Sequence, residues 1–211
     1  MMSKKRPPKD WHLYVILDRD RVANDGRLFE IAEGAIRGGA DAIQLRYKSA
    51  CVRDLVHLAK RIKAICDRRN IPLIINDRPE AAIAVGADGV HLGMSDMDMR
   101  LARRLIGKDK VIGVSATKPR YIKWAVSTGA DYIGFGPIFR TPIKRWKRPL
   151  GVESIMKTRS FDIPFVFIGG INLKNVKLLA RQGARRIAVI RAVVKAPDPE
   201  KAARALREAL T

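Results

Sequence analysis

The segment Gly86-Ala-Asp-Gly-Val-His-Leu92 contains the pattern from which the fold is predicted: a glycine that ends a helix, a polar residue and a short apolar strand. The same Gly-Ala-Asp triplet begins at Gly39 and at Gly129, and Gly183-Ala-Arg185 repeats it with one change. Each triplet stands between a helical pattern and an apolar run of strand length. This recurrence predicts strands that alternate with helices along the chain.

Eight apolar runs of strand length occur, and most are followed by a helical pattern. The predicted strands are 13–17, 41–45, 71–75, 88–92, 110–114, 132–135, 163–168 and 186–190. The predicted helices are 28–37, 52–68, 79–85, 97–106, 119–128, 173–181 and 199–210, with Ser95 or Asp96 capping the fourth. Eight such units predict a single-domain α/β protein with the (β/α)8 TIM barrel fold. A doubly wound open sheet is the alternative, but it usually carries an early GxGxxG turn, which this chain lacks after its first strand.

Length and composition agree with one globular domain. The chain has 211 residues, is 47% hydrophobic, and contains no apolar run near the roughly 20 residues that a membrane span needs. Residues 1–10 are basic with no apolar stretch behind them, so we predict an extension at 1–10 before a barrel domain at 11–211, not a secretory signal. Cys51 and Cys66 lack CxxC spacing, which indicates reduced thiols and a cytoplasmic protein.

The chain is strongly basic, with 42 Lys and Arg against 21 Asp and Glu and a net charge of +21. Such a charge favours anionic ligands or nucleic acid as partners. However, the basic residues are spread along nearly every polar segment, and no RNP, zinc-finger or helix-turn-helix signature is present. We interpret this as a generally basic surface, and nucleic acid is a disfavoured partner.

The active site of a barrel lies at the C-terminal ends of its strands. Hydrogen-bonding or charged residues follow almost every predicted strand. In chain order they are Gln44, Arg46, Lys48, Asn76, Asp77, Asp96, Ser115, Thr141, Lys144, Gly169-Gly170 and Arg191. Asp77 and Asp96 offer oxygen ligands with no His or Cys cluster beside them, which suits Mg²⁺, although either could instead cap a helix. His91 is interpreted as a packed histidine.

Two anion sites follow from this distribution. Arg46, Lys48 and Lys144 would surround the predicted metal with positive charge, as a leaving diphosphate requires. The glycines after the seventh strand, with the end of the eighth, form a second site, because loops there frequently bind phosphate. Two such sites predict a transferase with two phosphorylated substrates, and the loop 134–144 lies between them.

Six motifs, in this order, resemble those of the bacterial thiamine phosphate synthase family over about Leu13 to Leu210. They are Gln44-Leu-Arg-Tyr-Lys48, Ile75-Asn-Asp-Arg78, Ala87-Asp-Gly-Val-His-Leu-Gly93 with Asp96, Ile112-Gly-Val-Ser115, Gly136-Pro-Ile-Phe-Arg-Thr141 with Lys144, and Ile168-Gly-Gly-Ile-Asn172. The family joins hydroxymethylpyrimidine diphosphate to a thiazole phosphate and releases diphosphate. The resemblance implies a dissociative reaction that needs no general base.

The resemblance also implies a role for each matching residue. The Mg²⁺ ligands would be Asp77 and Asp96, and the diphosphate would be bound by Arg46, Lys48, Asn76 and Lys144. The pyrimidine would be contacted by Gln44 and Ser115, with Leu45 and Tyr47 in the same binding stretch. The thiazole phosphate would be bound by Thr141, Pro142, Ile143, Gly170, Ile190 and Arg191. The expected catalytic residues are Arg46, Lys48, Ser115 and Lys144. The implied partners are the two small substrates, with no membrane and with a homodimer as a possible assembly.

Four positions depart from the family pattern. Met94, Thr117, Ile143 and Arg191 stand where the family usually has Gln, His, Thr and Ser. The residues implied to bind Mg²⁺ and the diphosphate match the family pattern, whereas the site implied for the thiazole phosphate is altered. One alternative is the related thiazole tautomerase branch, which typically lacks the two aspartates and uses the His that Thr117 replaces. The other is a repurposed barrel that binds a phospholigand or nucleic acid without synthase activity.

Overall fold

Eight parallel strands form a closed barrel in the computed structural model, which describes residues 5, 7–144 and 146–210, except the side chain of Lys144. The strands are β1 (Leu13–Asp18), β2 (Ala42–Arg46), β3 (Leu73–Asn76), β4 (Gly89–Leu92), β5 (Val111–Ser115), β6 (Tyr132–Phe135), β7 (Phe165–Ile168) and β8 (Ile187–Val189). Each strand pairs with the next, and β8 pairs with β1, so the sheet has no free edge. The predicted (β/α)8 barrel is confirmed.

The α-helices lie between the strands. They are α1 (Asp25–Arg37), α2 (Val52–Asp67), α3 (Pro79–Ala84), α4 (Met99–Ile106), α5 (Pro119–Ser127), α6 (Val176–Arg181), α7 (Arg191–Val194) and α8 (Pro199–Glu208). Short 3-10 helices occupy Pro8–Asp10, Arg19–Arg21, Pro142–Lys144 and Val152–Ser160. The last of these follows β6, where no α-helix was predicted, and α7 was not predicted either.

The start of α4 differs from the prediction in a way that affects the site. The N-cap is Asp98, whose side chain accepts hydrogen bonds from the backbone N–H groups of Arg100 and Leu101. The helix therefore begins at Met99, and neither Ser95 nor Asp96 caps it. The side chain of Asp96 is therefore not used as a helix cap and is available for another role.

The three Gly-Ala-Asp triplets have the same structural role at the N-terminal end of the barrel. Their glycines have positive φ, as helix-ending glycines do, at Gly39, Gly86 and Gly129. The aspartate then accepts a hydrogen bond from a backbone N–H at the start of the preceding strand. For example, the Asp88 side chain accepts one from the Leu73 N–H at 2.9 Å. The same bond joins Asp41 to Leu13 and Asp131 to Ile112. These carboxylates satisfy donors that the ladder leaves open.

Two apolar layers result from the alternation of side chains along each strand. Outward residues pack beneath the helices in one continuous core. Inward residues form a second cluster, which consists of Trp11, Tyr14, Ile16, Ala42, Ile74, Tyr132, Val166 and Ala188. The Trp11 ring lies 5.2 Å from that of Tyr14 and 5.4 Å from that of Tyr132, which fills the barrel interior. A cavity is therefore left at the opposite, C-terminal end.

The described N-terminal residues pack on the barrel. The Lys5 ammonium lies 2.6 Å from Asp67 Oδ1 and 2.9 Å from Asp88 Oδ2, and Pro8 and Trp11 are buried. Residues 1–4 and 6 lie outside the described part, and the division into 1–10 and 11–211 stays a prediction. In the described chain, no helix combines the length and apolar character that crossing a bilayer requires.

Candidate active site

A cavity of about 380 Å³, called here the barrel cavity, opens at the C-terminal ends of the strands. Predicted binding residues from six strand–loop units line it. They are Gln44, Arg46, Asn76, Ser115, Thr141, Pro142, Ile143, Gly170, Ile190 and Arg191. The structure thus brings the residues assigned to the pyrimidine and those assigned to the thiazole phosphate into one space.

A second cavity of about 400 Å³, called here the aspartate cavity, adjoins the first. Its walls include the predicted residues Tyr47, Lys48, Asn76, Asp77 and Asp96. Because Asn76 lines both cavities, a ligand can extend from one into the other.

Asp77 and Asp96 meet in the aspartate cavity. Asp77 has a φ of 63°, unusual for a residue other than glycine, and its backbone N–H donates to the carbonyl of His91 at 2.9 Å. Asp96 Oδ2 accepts a hydrogen bond from the Gly93 N–H at 2.6 Å. The two carboxyl groups are close enough for each to shift the pKa of the other.

The two carboxyl groups have opposite pKa shifts. Burial and the hydrogen bond with Asp77 raise the pKa of Asp96. Burial acts in the same direction on Asp77, but the hydrogen bond with Asp96 and the Lys48 ammonium, 2.8 Å away, outweigh it and lower the pKa of Asp77. The Lys48 ammonium thus offsets part of the negative charge of the pair.

This pair fits a hard divalent cation. Its ligands are carboxylate oxygens, which Mg²⁺ and Ca²⁺ prefer, and a cation bound between them would offset the negative charge of both carboxylates. Among the described residues, no group of three or more Asp, Glu, His or Cys side chains forms a metal site. The remaining ligands would therefore come from substrate oxygens and water, which is usual for Mg²⁺ at phosphate sites.

Two aspartates that were not predicted as site residues form hydrogen bonds with the basic residues at the end of β2. Asp18, the last residue of β1, is fully buried and accepts from Arg46 Nη1 at 2.7 Å and from Arg21 Nε at 2.9 Å. Asp20 accepts from the backbone N–H of Lys48 at 3.0 Å. The register of β1 and β2 makes Asp18 and Arg46 direct neighbours. The charged run 18–21, directly after the predicted first strand at 13–17, was the available signal.

A chain of hydrogen bonds runs across the barrel cavity. Gln44 Nε2 donates to the Tyr14 hydroxyl at 2.8 Å, and this hydroxyl lies 3.1 Å from that of Tyr132. The Tyr132 hydroxyl lies 2.9 Å from His91 Nδ1, and His91 Nε2 lies 2.9 Å from Ser115 Oγ. Burial raises the pKa of both phenols, so they remain neutral donors and acceptors. The chain fixes Gln44 and Ser115 at its two ends.

His91 has a larger role than the packing role expected from the sequence. It lines the barrel cavity as well as bridging Tyr132 and Ser115. A Cβ at Gly134 would lie 2.9 Å from its ring, so the glycine provides the room that the ring needs. Its position on β4, two residues from the inward Gly89, could have indicated an inward side chain.

The loops after β6 and β7 pack against each other very closely. Gly169 and Gly170 have φ values of 106° and 68°. A Cβ at Gly169 would lie 2.4 Å from Pro137 Cα, and one at Gly170 would lie 2.6 Å from the Arg140 carbonyl oxygen. These glycines were predicted to admit phosphate. The structure shows that they are required first for the packing of the two loops.

Two arginines flank this end of the barrel cavity. Arg191 begins α7 directly after β8, and Arg140 lies in the loop after β6. Both are exposed, and neither takes part in a salt bridge between described residues. Arg140 was not predicted, although it directly precedes Thr141. Two cations are thus available for an anion at this position.

One predicted residue, Leu45, is absent from the walls of both cavities, and another, Lys144, is described only in its backbone. Leu45 is fully buried in the core beneath the helices, because it alternates with the inward Gln44 and Arg46. Its side chain therefore points away from the cavities, and a role of its backbone in binding substrate stays a prediction. The backbone of Lys144 belongs to the 3-10 helix Pro142–Lys144. Its side chain lies outside the described atoms, and its role stays a prediction.

Comparison with known proteins identifies the family. The family model described as thiamine monophosphate synthase matches residues 13–193. The thiamine-phosphate synthase of Ruminiclostridium cellulolyticum is 43% identical over 200 residues, covering 94% of this chain and 95% of the relative. That of Coprothermobacter proteolyticus is 43% identical and covers 99% of both chains. The solved thiamine phosphate pyrophosphorylase from Pyrococcus furiosus has a TM-score of 0.86 at 35% identity and 96% coverage of both chains. This chain therefore belongs to the thiamine monophosphate synthase family.

Proposed function

We propose that the protein condenses 4-amino-2-methyl-5-(diphosphooxymethyl)pyrimidine with 4-methyl-5-(2-phosphooxyethyl)thiazole to give thiamine phosphate and diphosphate. One observation carries this proposal. The barrel cavity joins the aspartate cavity at Asn76 and is flanked by Arg140 and Arg191 at another part of its wall. Two cavities that share Asn76 in their walls therefore offer one anion site to each of two phosphorylated substrates.

Calorimetric titration with each ligand tests this arrangement. We expect inorganic diphosphate to bind tightly only when Mg²⁺ is present, because the aspartate cavity otherwise presents two carboxyl groups to it. The thiazole phosphate should bind equally well with and without Mg²⁺. A thiazole phosphate affinity that depends strongly on Mg²⁺ would place both anions at one site and contradict the proposal.

Mg²⁺ is the proposed cofactor, with Asp77 and Asp96 as its protein ligands. When bound, it would neutralise negative charge on the leaving diphosphate. Arg46 and Lys48 add fixed positive charge beside the same position, and the family resemblance adds Lys144. Asp18 and Asp20 hold the Arg46 side chain and the Lys48 backbone before substrate arrives, so little reorganisation is needed.

The proposed reaction is dissociative. The bond between the pyrimidine methylene carbon and the diphosphate oxygen breaks, and its electron pair leaves with the diphosphate. The pyrimidine ring delocalises the resulting cation while Gln44 and Ser115 hold its orientation. The thiazole nitrogen then donates its lone pair to the methylene carbon. Since this nitrogen carries no proton, the step needs no general base.

Arg191→Ser should raise the KM for thiazole phosphate about 10- to 100-fold and leave the KM for the pyrimidine diphosphate unchanged. A hydrogen bond to a charged group contributes roughly 1.5–3 kcal/mol, and about 1.4 kcal/mol corresponds to a factor of ten. Steady-state kinetics with each substrate varied in turn measures both constants. Ile143→Thr, an uncharged change in the same wall, is the matched control and should have a smaller effect. A lower KM in Arg191→Ser would mean that the arginine obstructs the site.

Asp18→Asn should raise the KM for the pyrimidine diphosphate about tenfold with a small change in kcat. The amide keeps the shape of the side chain but no longer orients Arg46 through an ion pair. The matched variant Asp20→Asn removes a carboxylate that contacts the Lys48 backbone instead, and its effect should be weaker. Equal losses of kcat in both variants, without a KM change, would show that the run 18–21 is only structural.

The thiazole tautomerase alternative is disfavoured. That branch typically lacks the two aspartates, which meet in one cavity here, and it uses a histidine where this chain has Thr117. A homodimer and a cytoplasmic location remain part of the proposal. The two free cysteines, Cys51 and Cys66, are consistent with that location.

A further inference from the structure

The net positive charge of this protein is concentrated in one part of the chain. Residues 99–195 contain 22 of the 42 Lys and Arg residues but only four of the 21 Asp and Glu residues. The rest of the chain contains 20 basic and 17 acidic residues and is nearly balanced. The basic residues are thus spread along the whole chain, as expected, but the acidic residues are nearly absent from 99–195, so the net positive charge is concentrated there.

Closure of the barrel in sequential order makes this segment one contiguous half of the molecule. Residues 99–195 comprise β5 to β8 and α4 to α7, which are neighbours around the barrel. We call the outer surface of this half the basic face. Exposed cations occur on successive elements of it, among them Arg100, Arg104, Lys123, Lys157, Lys177 and Arg181.

These cations are not neutralised by neighbouring acids. Within the described part of residues 99–195, the salt bridge that forms joins Arg103 to Asp131 at 2.7 Å. The other half carries many more, including Lys48 with Asp77 and Lys63 with Asp67. The basic face therefore has a positive electrostatic potential, which attracts polyanions and is screened as the salt concentration rises.

We infer that the basic face binds single-stranded nucleic acid through its phosphates. The charges extend around half of a curved barrel, and a flexible chain of phosphates can follow that curvature. A flat lipid surface or a rigid acidic protein would reach only the part that faces it. Trp146 is 77% exposed next to Lys147 and Arg148, and an exposed indole beside cations is a stacking platform for a base. This binding is separate from the synthase reaction and does not depend on it.

The test is fluorescence anisotropy of the full-length protein with a labelled oligouridylate of about 20 nucleotides over a range of KCl concentrations. We expect binding that weakens steeply with salt, with a slope of about −0.7 for each phosphate contacted. The triple variant Arg104→Glu, Lys123→Glu, Lys177→Glu changes exposed residues outside both cavities. It should weaken binding by roughly tenfold or more and flatten the salt slope.

A matched control changes the net charge equally on the other half: Lys60→Glu, Arg69→Glu, Lys201→Glu. It should weaken binding less than about threefold, and both triple variants should retain synthase activity. Equal weakening in the two variants would show that net charge, and not the basic face, is responsible, and would overturn the inference. Failure of the unmodified protein to bind the oligonucleotide in about 50 mM KCl, or binding only to vesicles of anionic phospholipid, would overturn it as well.

Discussion

Asp77→Asn is expected to lower the kcat for thiamine phosphate formation about 100- to 1000-fold, the scale found when one preorganised electrostatic group is removed from an active site. The substitution keeps the volume of the side chain but removes the charge that pairs with Lys48 and that would hold Mg²⁺. Asparagine also tolerates the left-handed backbone of this position, where φ is 63°. The loss should therefore appear in catalysis and not in folding. Steady-state kinetics over a range of Mg²⁺ concentrations, with a thermal melt of each variant, measures both.

Asp98→Asn is the matched control for this prediction. It removes a carboxylate close to the aspartate cavity, but one that caps α4 and does not line that cavity. Asparagine is an equally good N-cap, so stability and rate should remain near those of the unmodified protein. If Asp77→Asn retained a normal rate, or if both variants lost the same activity, the aspartate pair would not be the metal site.

Arg46→Met is the second substitution with a large expected effect, because it acts on both stability and catalysis. Methionine keeps much of the apolar stem but leaves the fully buried Asp18 with Arg21 as its remaining arginine. Removing one partner of a buried ion pair costs about 3 kcal/mol, and we expect a loss of unfolding free energy of that order. The kcat/KM for the pyrimidine diphosphate should fall about 100-fold, since a charge beside the leaving group is lost.

Urea denaturation and substrate kinetics separate these two effects. The double variant Asp18→Asn, Arg46→Met should recover part of the lost stability, because the buried charge is then absent, but none of the lost activity. Recovery of activity together with stability would show that Arg46 acts on the fold alone and that the diphosphate does not contact it.

The barrel was predictable because its signals are local. Two signals suffice, and each is visible in adjacent residues: a glycine at the end of a helix, and a run of four to six apolar residues that forms a strand. The Gly-Ala-Asp triplets mark the boundary between the two several times along the chain. The start of α4 was not predictable, since Asp96 and Asp98 are equally suitable caps and the choice depends on the backbone after β4. That choice decides whether Asp96 can reach Asp77.

The site was predictable where motifs end a strand, and less so where side chains meet across the barrel. Strict alternation on β2 separates Gln44 and Arg46 from Leu45, which a contiguous motif had included. The contacts among Tyr14, His91 and Tyr132 join β1, β4 and β6, and such contacts have no trace in local spacing. Similarly, position 170 needs a glycine because a Cβ there would clash with a loop some thirty residues earlier in the chain.

The synthase assignment is tested most directly by incubating the purified protein with both substrates and Mg²⁺ and quantifying both products. We expect thiamine phosphate and diphosphate in equal amounts, with no turnover after chelation of Mg²⁺ and recovery when it is restored. Absence of thiamine phosphate under these conditions would show that the protein is not a synthase, and so would release of diphosphate without formation of the carbon–nitrogen bond.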